Sequence, residues 1–364
     1  MARHKSIEPV GADSLTDRQR EILRLVVQQY VLTANPVGSR YISRISSLGL
    51  SDATLRNVMA DLEYLGYIDH PHTSAGRMPT DKGYRLYVDS LMLLEHLSAN
   101  ERAAIAQSIS NAVTAEDVVR ESATILAKFS KQLSLLVLPA LQDAILERVE
   151  IIPMSSHRIL IVVAASSGRV RTVTLETETS ISRSKLDELA GVLNARLSGK
   201  TFREVKAIFA ESIRDLPLEE QSILRVFLGA PERLFDDPGT ERVKISGANN
   251  MFTQPEFQRR GTYSSEEVQS IIELIENEEV VIHILEGSGA ADSRTDAMPV
   301  SIKIGSELDS GWMSNYSIIS TTYRIGDQHG TIAVIGPKRM DYGRVTPVVE
   351  YVAQAMSNTL ASRQ

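Results

Sequence analysis

LGLSDATLRNVMADLEYLGYIDHPHTSAGRMPTDKGYRLYVD, residues 48–89, pairs an amphipathic helix with a compact hairpin punctuated by Gly and Pro. Ser51 stands at the N-cap position, and Asp52 puts a negative charge in the first turn, where the helix dipole favours it. Leu55, Val58, Met59, Leu62 and Leu65 recur at three- and four-residue spacing and form one apolar stripe. The other side carries Ala53, Arg56, Asn57, Ala60 and Tyr64, with Thr54 on the flank. Small residues at 53 and 60 allow close approach to another surface. Arg and Asn pair bidentately with guanine and adenine edges in the major groove. The stretch therefore reads as a recognition helix, against the plainer alternative of an ordinary amphipathic core helix.

Gly66 ends this helix, a strand follows over Tyr67–His70, and Pro71 to Pro79 forms a loop containing His72, Thr73, Ser74, Gly76 and Arg77. The chain returns through Lys82, Tyr84 and Arg85. Hydroxyls, a glycine backbone and arginine on a protruding loop suit phosphate oxygens and a narrow minor groove. Upstream, Thr16 caps a helix with apolar positions Ile22, Leu25, Val26 and Tyr30, which Ala34-Asn35-Pro36-Val37 breaks. Gly38-Ser39-Arg40 opens a second helix ending at Leu48-Gly49. Together these elements make a winged helix-turn-helix. Ser39 and Arg40 then lie near backbone phosphate, although Arg40 fits a surface salt bridge equally well. A winged helix that docks protein rather than DNA is a further alternative.

The whole chain, 364 residues with 43% apolar content, has room for two or three domains. It contains no cysteine, which excludes disulfides, thiolate metal sites and cysteine nucleophiles. The start, MARHKSIEPV, has no apolar core of a secretory leader, and the longest aliphatic run, Ile159–Ala165, is too short to span a bilayer. A cytoplasmic protein without membrane contact is the expectation. Net charge is −7, unevenly spread: residues 1–90 hold 11 Lys/Arg against 10 Asp/Glu, and the remainder 28 against 36. A near-neutral head on an acidic body fits local attraction to phosphate rather than general coating of nucleic acid.

Beyond the hairpin, helices are expected over Leu91–Leu97, Glu101–Val113 and Ala115–Leu136. Strands are expected over Leu146–Pro153, Arg158–Ala165 and Arg169–Leu175, then a helix over Leu186–Leu197. Ser264–Asn277 reads as helix, and Val280–Leu285, Val300–Ile304, Ser317–Tyr323 and Gly330–Ile335 as strands. A closing helix runs over Arg344–Ser362. Strands with hairpin-length links beside helices give an α+β domain on an antiparallel sheet.

VGSR at 37–40, LSDATLRNVMADLE at 50–63, GYIDHPHTSAGRMPTDKGYRLYVD at 66–89, IGSE at 304–307 and GTIAVIGPKRMDY at 330–342 resemble the heat-inducible transcription repressors of bacteria, the HrcA family. PHTSAGR followed by PT and GYR is not a general winged-helix feature. The resemblance implies an α+β multidomain chain: a winged helix-turn-helix at 1–89, a helical connector at 90–120, and a GAF-like domain at 121–197 and 263–364. An inserted dimerisation domain would occupy 198–262, where Pro217, Pro231, Pro238 and Pro255 cluster. It further implies a homodimer on an inverted-repeat operator of the CIRCE type upstream of chaperone operons. Repression would be relieved by heat, with a GroEL-type chaperonin maintaining the active form.

In that role Thr54, Arg56 and Asn57 would read bases, with Tyr64 beside them. Ser39, Arg40, His72, Thr73, Ser74, Arg77, Lys82 and Arg85 would hold phosphate or minor groove. Other chemistry has plainer explanations. The loop Glu286–Ala297 lacks the Lys-Ser/Thr of a phosphate-binding loop and reads as a surface loop. Gly336-Pro337-Lys338-Arg339 fits an anion or a strand-to-helix turn. His70 and His72 fit a metal pair less well than a wing on DNA. Trp312 and Tyr316 are candidate walls of a small-ligand site, which would make the chain a metabolite-sensing regulator, but fit core packing better. No nucleophile–base or carboxylate pair suggests an enzyme, and no cofactor is implied.

Overall fold

The structure is a computed structural model that describes residues 15–46, 48–71, 76–176, 182–212, 242–255, 265–286, 300–308 and 311–362. Helix α1, Asp17–Thr33, starts on a reciprocal cap in which Thr16 accepts from the Gln19 amide and the Gln19 side chain accepts from the Thr16 amide. It buries Ile22, Leu23, Val26 and Val27, and Ala34 stops it in the left-handed conformation, φ 52°. Helices α2, Ser39–Ile45, and α3, Asp52–Tyr64, follow as expected. The wing is the antiparallel pair β1, Ile68–Asp69, and β2, Met78–Pro79. Helix α4, Asp81–Leu86, runs on into a π-helical turn, Tyr87–Leu91.

The chain then differs from expectation. Residues 92–98 form neither helix nor strand, with Leu97 buried and the Glu95 amide donating to the Gly343 carbonyl. Helices α5, Ala99–Ser110, and α6, Ala115–Ser130, pack on each other and on the body, so 90–120 is not a separate connector. The long helix expected to reach Leu136 ends where Lys131 turns left-handed, φ 55°, and strand β3, Leu133–Val137, begins.

Strands β4, Leu146–Ser155, β5, Arg158–Ala165, and β6, Val170–Glu176, form their own antiparallel sheet. With α7, Arg183–Leu197, and α8, Phe202–Ser212, they enclose a separate core of Val149, Ile151, Ile161, Val163, Leu189, Leu193 and Phe209, among others. This corrects the expected boundary. The inserted unit begins near Leu141 and holds the strands assigned from sequence to the GAF-like domain. Strand β7, Val243–Ser246, which lies in the range given to the insertion, instead pairs with β3 in the main sheet. The chain leaves the body after β3 and returns at β7, where the Leu138 amide donates to the Arg242 carbonyl at 2.8 Å.

After β7 come α9, Ala248–Phe252, α10, Ser265–Glu276, and α11, Glu278–Glu286. The last was expected to be a strand. The Asn277 side chain accepts from the amides of Glu279 and Val280, starting a helix that buries Val281 and Leu285 four residues apart. Strands β8, Ser301–Ile304, β9, Tyr316–Ile325, and β10, Gln328–Pro337, complete an antiparallel sheet of order β7-β3-β10-β9-β8, and α12, Tyr342–Ala361, closes the chain. One face of that sheet packs on α6 and α12 and the other on α9, α10 and α11, so the body has three layers. The loop after Glu286 lies outside the described residues. No helix among the described residues is long and apolar enough to cross a membrane.

The winged helix does not hang from this body. Its apolar interior continues without a break through Tyr84, Tyr87 and Leu97 into Ile304, Met340, Tyr342 and the buried side of α12. Tyr84 and Tyr342 meet with ring centroids 6.2 Å apart.

Candidate nucleic-acid interface

Helix α3 is two-sided in the way its sequence requires. Leu55, Val58, Met59 and Leu62 are buried, whereas Ala53, Arg56, Asn57, Ala60 and Tyr64 are exposed, Tyr64 to 87%. Ser51 caps it, accepting from the Thr54 amide at 3.2 Å. The Thr54 hydroxyl lies 2.9 Å from the same Ser51 oxygen, so this flank residue is engaged in the cap.

The wing grips the far end of α3. Arg77 donates from Nε to Glu63 at 2.7 Å, and His70 Nδ1 lies 2.5 Å from the other oxygen of that carboxylate. The Arg77 backbone exchanges two hydrogen bonds with Val37, tying the wing to the α1–α2 connection. Arg77 is thus half-buried at the wing base. Lys82 Nζ donates to the Leu65 carbonyl at 2.9 Å and sits over the Tyr67 ring, so it satisfies the C-terminal end of α3. Ligand atoms of Glu63, Asp69 and His70 all lie within 4.8 Å of one another, but Arg77 and His70 already use the Glu63 carboxylate. The loop residues His72, Thr73 and Ser74 lie outside the described residues.

Ser39 and Arg40 open α2, with Arg40 exposed and Ser39 half-buried. Arg44, exposed in the last turn of α2, is a basic residue the sequence reading passed over. Its signal was the continuation of the Arg40 side of a short helix.

Arg85 corrects the expectation. It faces the body, donating from Nε to Glu307 at 2.7 Å and from Nη2 to the Ile302 carbonyl at 2.7 Å, with a second contact to Glu307. Hydrogen bonding to Glu307 raises its pKa beyond that of an ordinary guanidinium. Asp81, one turn earlier, accepts from Lys338 Nζ at 2.6 Å and from the Ser306 amide at 2.9 Å. Burial works against its ionisation, but those hydrogen bonds prevail and hold the carboxyl below the usual carboxylate range. Arg339 donates to the Val31 carbonyl at 3.0 Å and to Gln254 at 2.9 Å. The 336–339 segment is therefore part of the junction between winged helix and body rather than an anion site.

Tyr316 is fully buried and Trp312 packs edge-on against it at 6.4 Å, inside the layer of α9–α11. Both pack as the core residues that their sequence setting favours.

Two family descriptions match the chain: the C-terminal domain of the HrcA protein over residues 116–346, and the HrcA winged helix-turn-helix DNA-binding domain over residues 14–90. Heat-inducible transcription repressors named HrcA are similar over nearly the full length. That of Chlorobium phaeobacteroides strain BS1 is 39% identical across 95% of this chain and 99% of its own. That of Chlorobaculum tepidum is 38% identical across 95% and 98%. In fold, the chain resembles a crystal structure described as a hypothetical protein at 2.2 Å resolution, with a TM-score of 0.62, 24% identity and coverage of 96% of this chain and all of the other.

Proposed function

The chain belongs to the HrcA family of heat-inducible, DNA-binding transcription repressors, and from that premise we propose that it binds an inverted-repeat operator as a homodimer, one winged helix to each half-site. The observation that carries this reading is the exposed side of α3. Arg56, Asn57 and Tyr64 stand clear of their own subunit, flanked by small residues that let a groove edge approach. Arg56 and Asn57 read base edges. Arg40 with Ser39, and Arg77 with the wing loop His72-Thr73-Ser74, hold backbone or minor groove. Lys82 and Thr54 act one step back, fixing the two ends of α3.

The second copy is proposed to join through the inserted unit. The side of its sheet turned away from α7 carries Ile152, Met154, Leu160, Val162 and Val170, with Met154 60% and Val170 62% exposed. Exposed apolar residues on a sheet face, interspersed here with the Arg148–Glu150 and Arg158–Glu176 pairs, suit self-association. Heat would lower the share of folded dimer, and a GroEL-type chaperonin would restore it, linking repression to chaperone supply at chaperone operons.

Titration of a duplex carrying the inverted repeat tests the base-reading role. Arg56→Ala is expected to weaken binding by about 1–3 kcal/mol with thermal unfolding unchanged. Equal affinity of variant and parent would overturn the assignment of α3. Identical DNA affinity after mild heating, with and without chaperonin, would overturn the chaperonin link.

A further inference from the structure

Helix α4 touches both the end of α3 and the body. Lys82 and Gly83 serve the α3 side: Lys82 donates to the Leu65 carbonyl, and Gly83 lets the Tyr67 carbonyl approach so closely that an added Cβ would lie 2.1 Å from its oxygen. Asp81 and Arg85, four residues apart, serve the body side, meeting Lys338, the Ser306 amide, Glu307 and the Ile302 carbonyl. Glu307 in turn accepts from the Ile304 amide at 2.9 Å, which fixes its carboxylate toward Arg85. Gly305, with φ +51°, brings its backbone to where an added Cβ would lie 2.4 Å from an Asp81 oxygen. Beneath these polar contacts Tyr84 packs on Tyr342, whose hydroxyl is held by Ser317 at 2.6 Å and donates to the Lys338 carbonyl at 2.7 Å.

We propose that Asp81, Arg85, Glu307 and Lys338 are positioning residues for operator binding: they fix the direction in which α3 leaves the body, so that the second winged helix of a dimer meets its half-site without searching. The inference rests on the dimeric operator-binding reading above. Its physical content is effective concentration. When one half-site is bound, a rigidly aimed second reader sees its own half-site at high local concentration, and one that swings sees it diluted. None of the four residues needs to touch DNA for this.

The test uses the full-length protein. The absence of native cysteine allows a label pair introduced by Arg18→Cys on α1 and Ala103→Cys on α5, both at exposed positions. Asp81→Asn with Lys338→Met removes one ion pair without stranding a charge. Arg85→Lys keeps the charge but loses the forked contact to Glu307, and it carries the test if the double variant does not fold. The distance distribution between the labels is measured without DNA. Affinity is then measured for duplexes carrying one or two half-sites.

The expected result is a broadened distance distribution, single-half-site affinity within about two-fold of the parent, and an order-of-magnitude loss in the gain from the second half-site. An unchanged distribution in a folded variant overturns the inference, as does an unchanged gain. Loss of single-half-site affinity in step with the gain also overturns it, because the contacts would then support the winged helix itself. A parent protein that binds neither duplex removes the operator-binding reading and this inference together, whatever the labels report.

Discussion

The winged helix reaches the body through a single length of chain, residues 92–98, whereas the inserted unit reaches it through two, held side by side at Leu138 and Arg242. By covalent connection alone the insertion is the better attached. Packing reverses that order. The winged helix shares one apolar core with α6 and α12, while the insertion keeps its core to itself. Clefts run along the joint of the insertion with the body. One of about 840 Å³ lies between Thr114–Glu116 and the β6 edge, and another of about 610 Å³ between Val137–Ala140 and Gln328–Thr331. Shared burial, not the number of chain crossings, decides which unit is seated more firmly on the body.

The largest effect expected from this contrast comes from emptying each core in turn. Leu62→Ala and Leu193→Ala each remove a buried leucine, at a cost of about 2–5 kcal/mol. In calorimetry Leu62→Ala is expected to lower the transition that also melts α12, and Leu193→Ala to lower a separate one and leave the first in place. A single transition shifted equally by both would erase the distinction. Next comes Gly83→Ala, where the obstacle is the Tyr67 backbone rather than a movable side chain; a loss of about 1–3 kcal/mol is expected in the same denaturation measurement.

Acid sharpens the comparison further. Because the Asp81 carboxyl is held below its ordinary value, near 3.9 for a free side chain, its contribution to the junction is complete above that pH. It is lost as the pH falls through the lowered folded value. The label separation between α1 and α5 is expected to widen only below about pH 4. In Asp81→Asn this carboxyl's share of the acid response should be gone. The smallest effect belongs to the insertion's surface: Arg158 and Glu176 are both well exposed, and Arg158→Ala is expected to change stability by about 0–1 kcal/mol in denaturant titration.

The winged helix was legible because its signals are local and dense. A Ser51 cap, an apolar stripe from Leu55 to Leu62 and Gly66 at φ +77° define α3 within a few residues of chain. The same stripe identified Arg56, Asn57 and Tyr64 as the outward side by subtraction. The inserted unit was misplaced because β4–β6 alternate like any strand of the body. Which sheet a strand joins depends on the pairing of β3 with β7, whose partners lie far apart in sequence. Val280–Leu285 carries the β-branched character of a strand, yet the Asn277 cap and the spacing of Val281 and Leu285 make it helical. Arg85 was misread for a related reason. A basic residue after a wing looks like a phosphate ligand until Glu307, more than two hundred positions later, is seen to claim it.

The tyrosines and aliphatic residues of the α4 region, Tyr84, Leu86, Tyr87 and Val88, are all covered by neighbouring structure. A fragment cut after residue 91 would leave the face normally covered by Tyr342 and Met340 open to water, an aggregation-prone wound rather than a self-sufficient module. The reader and its carrier therefore share one core, and grafting this head onto another scaffold would require taking the far end of the chain with it.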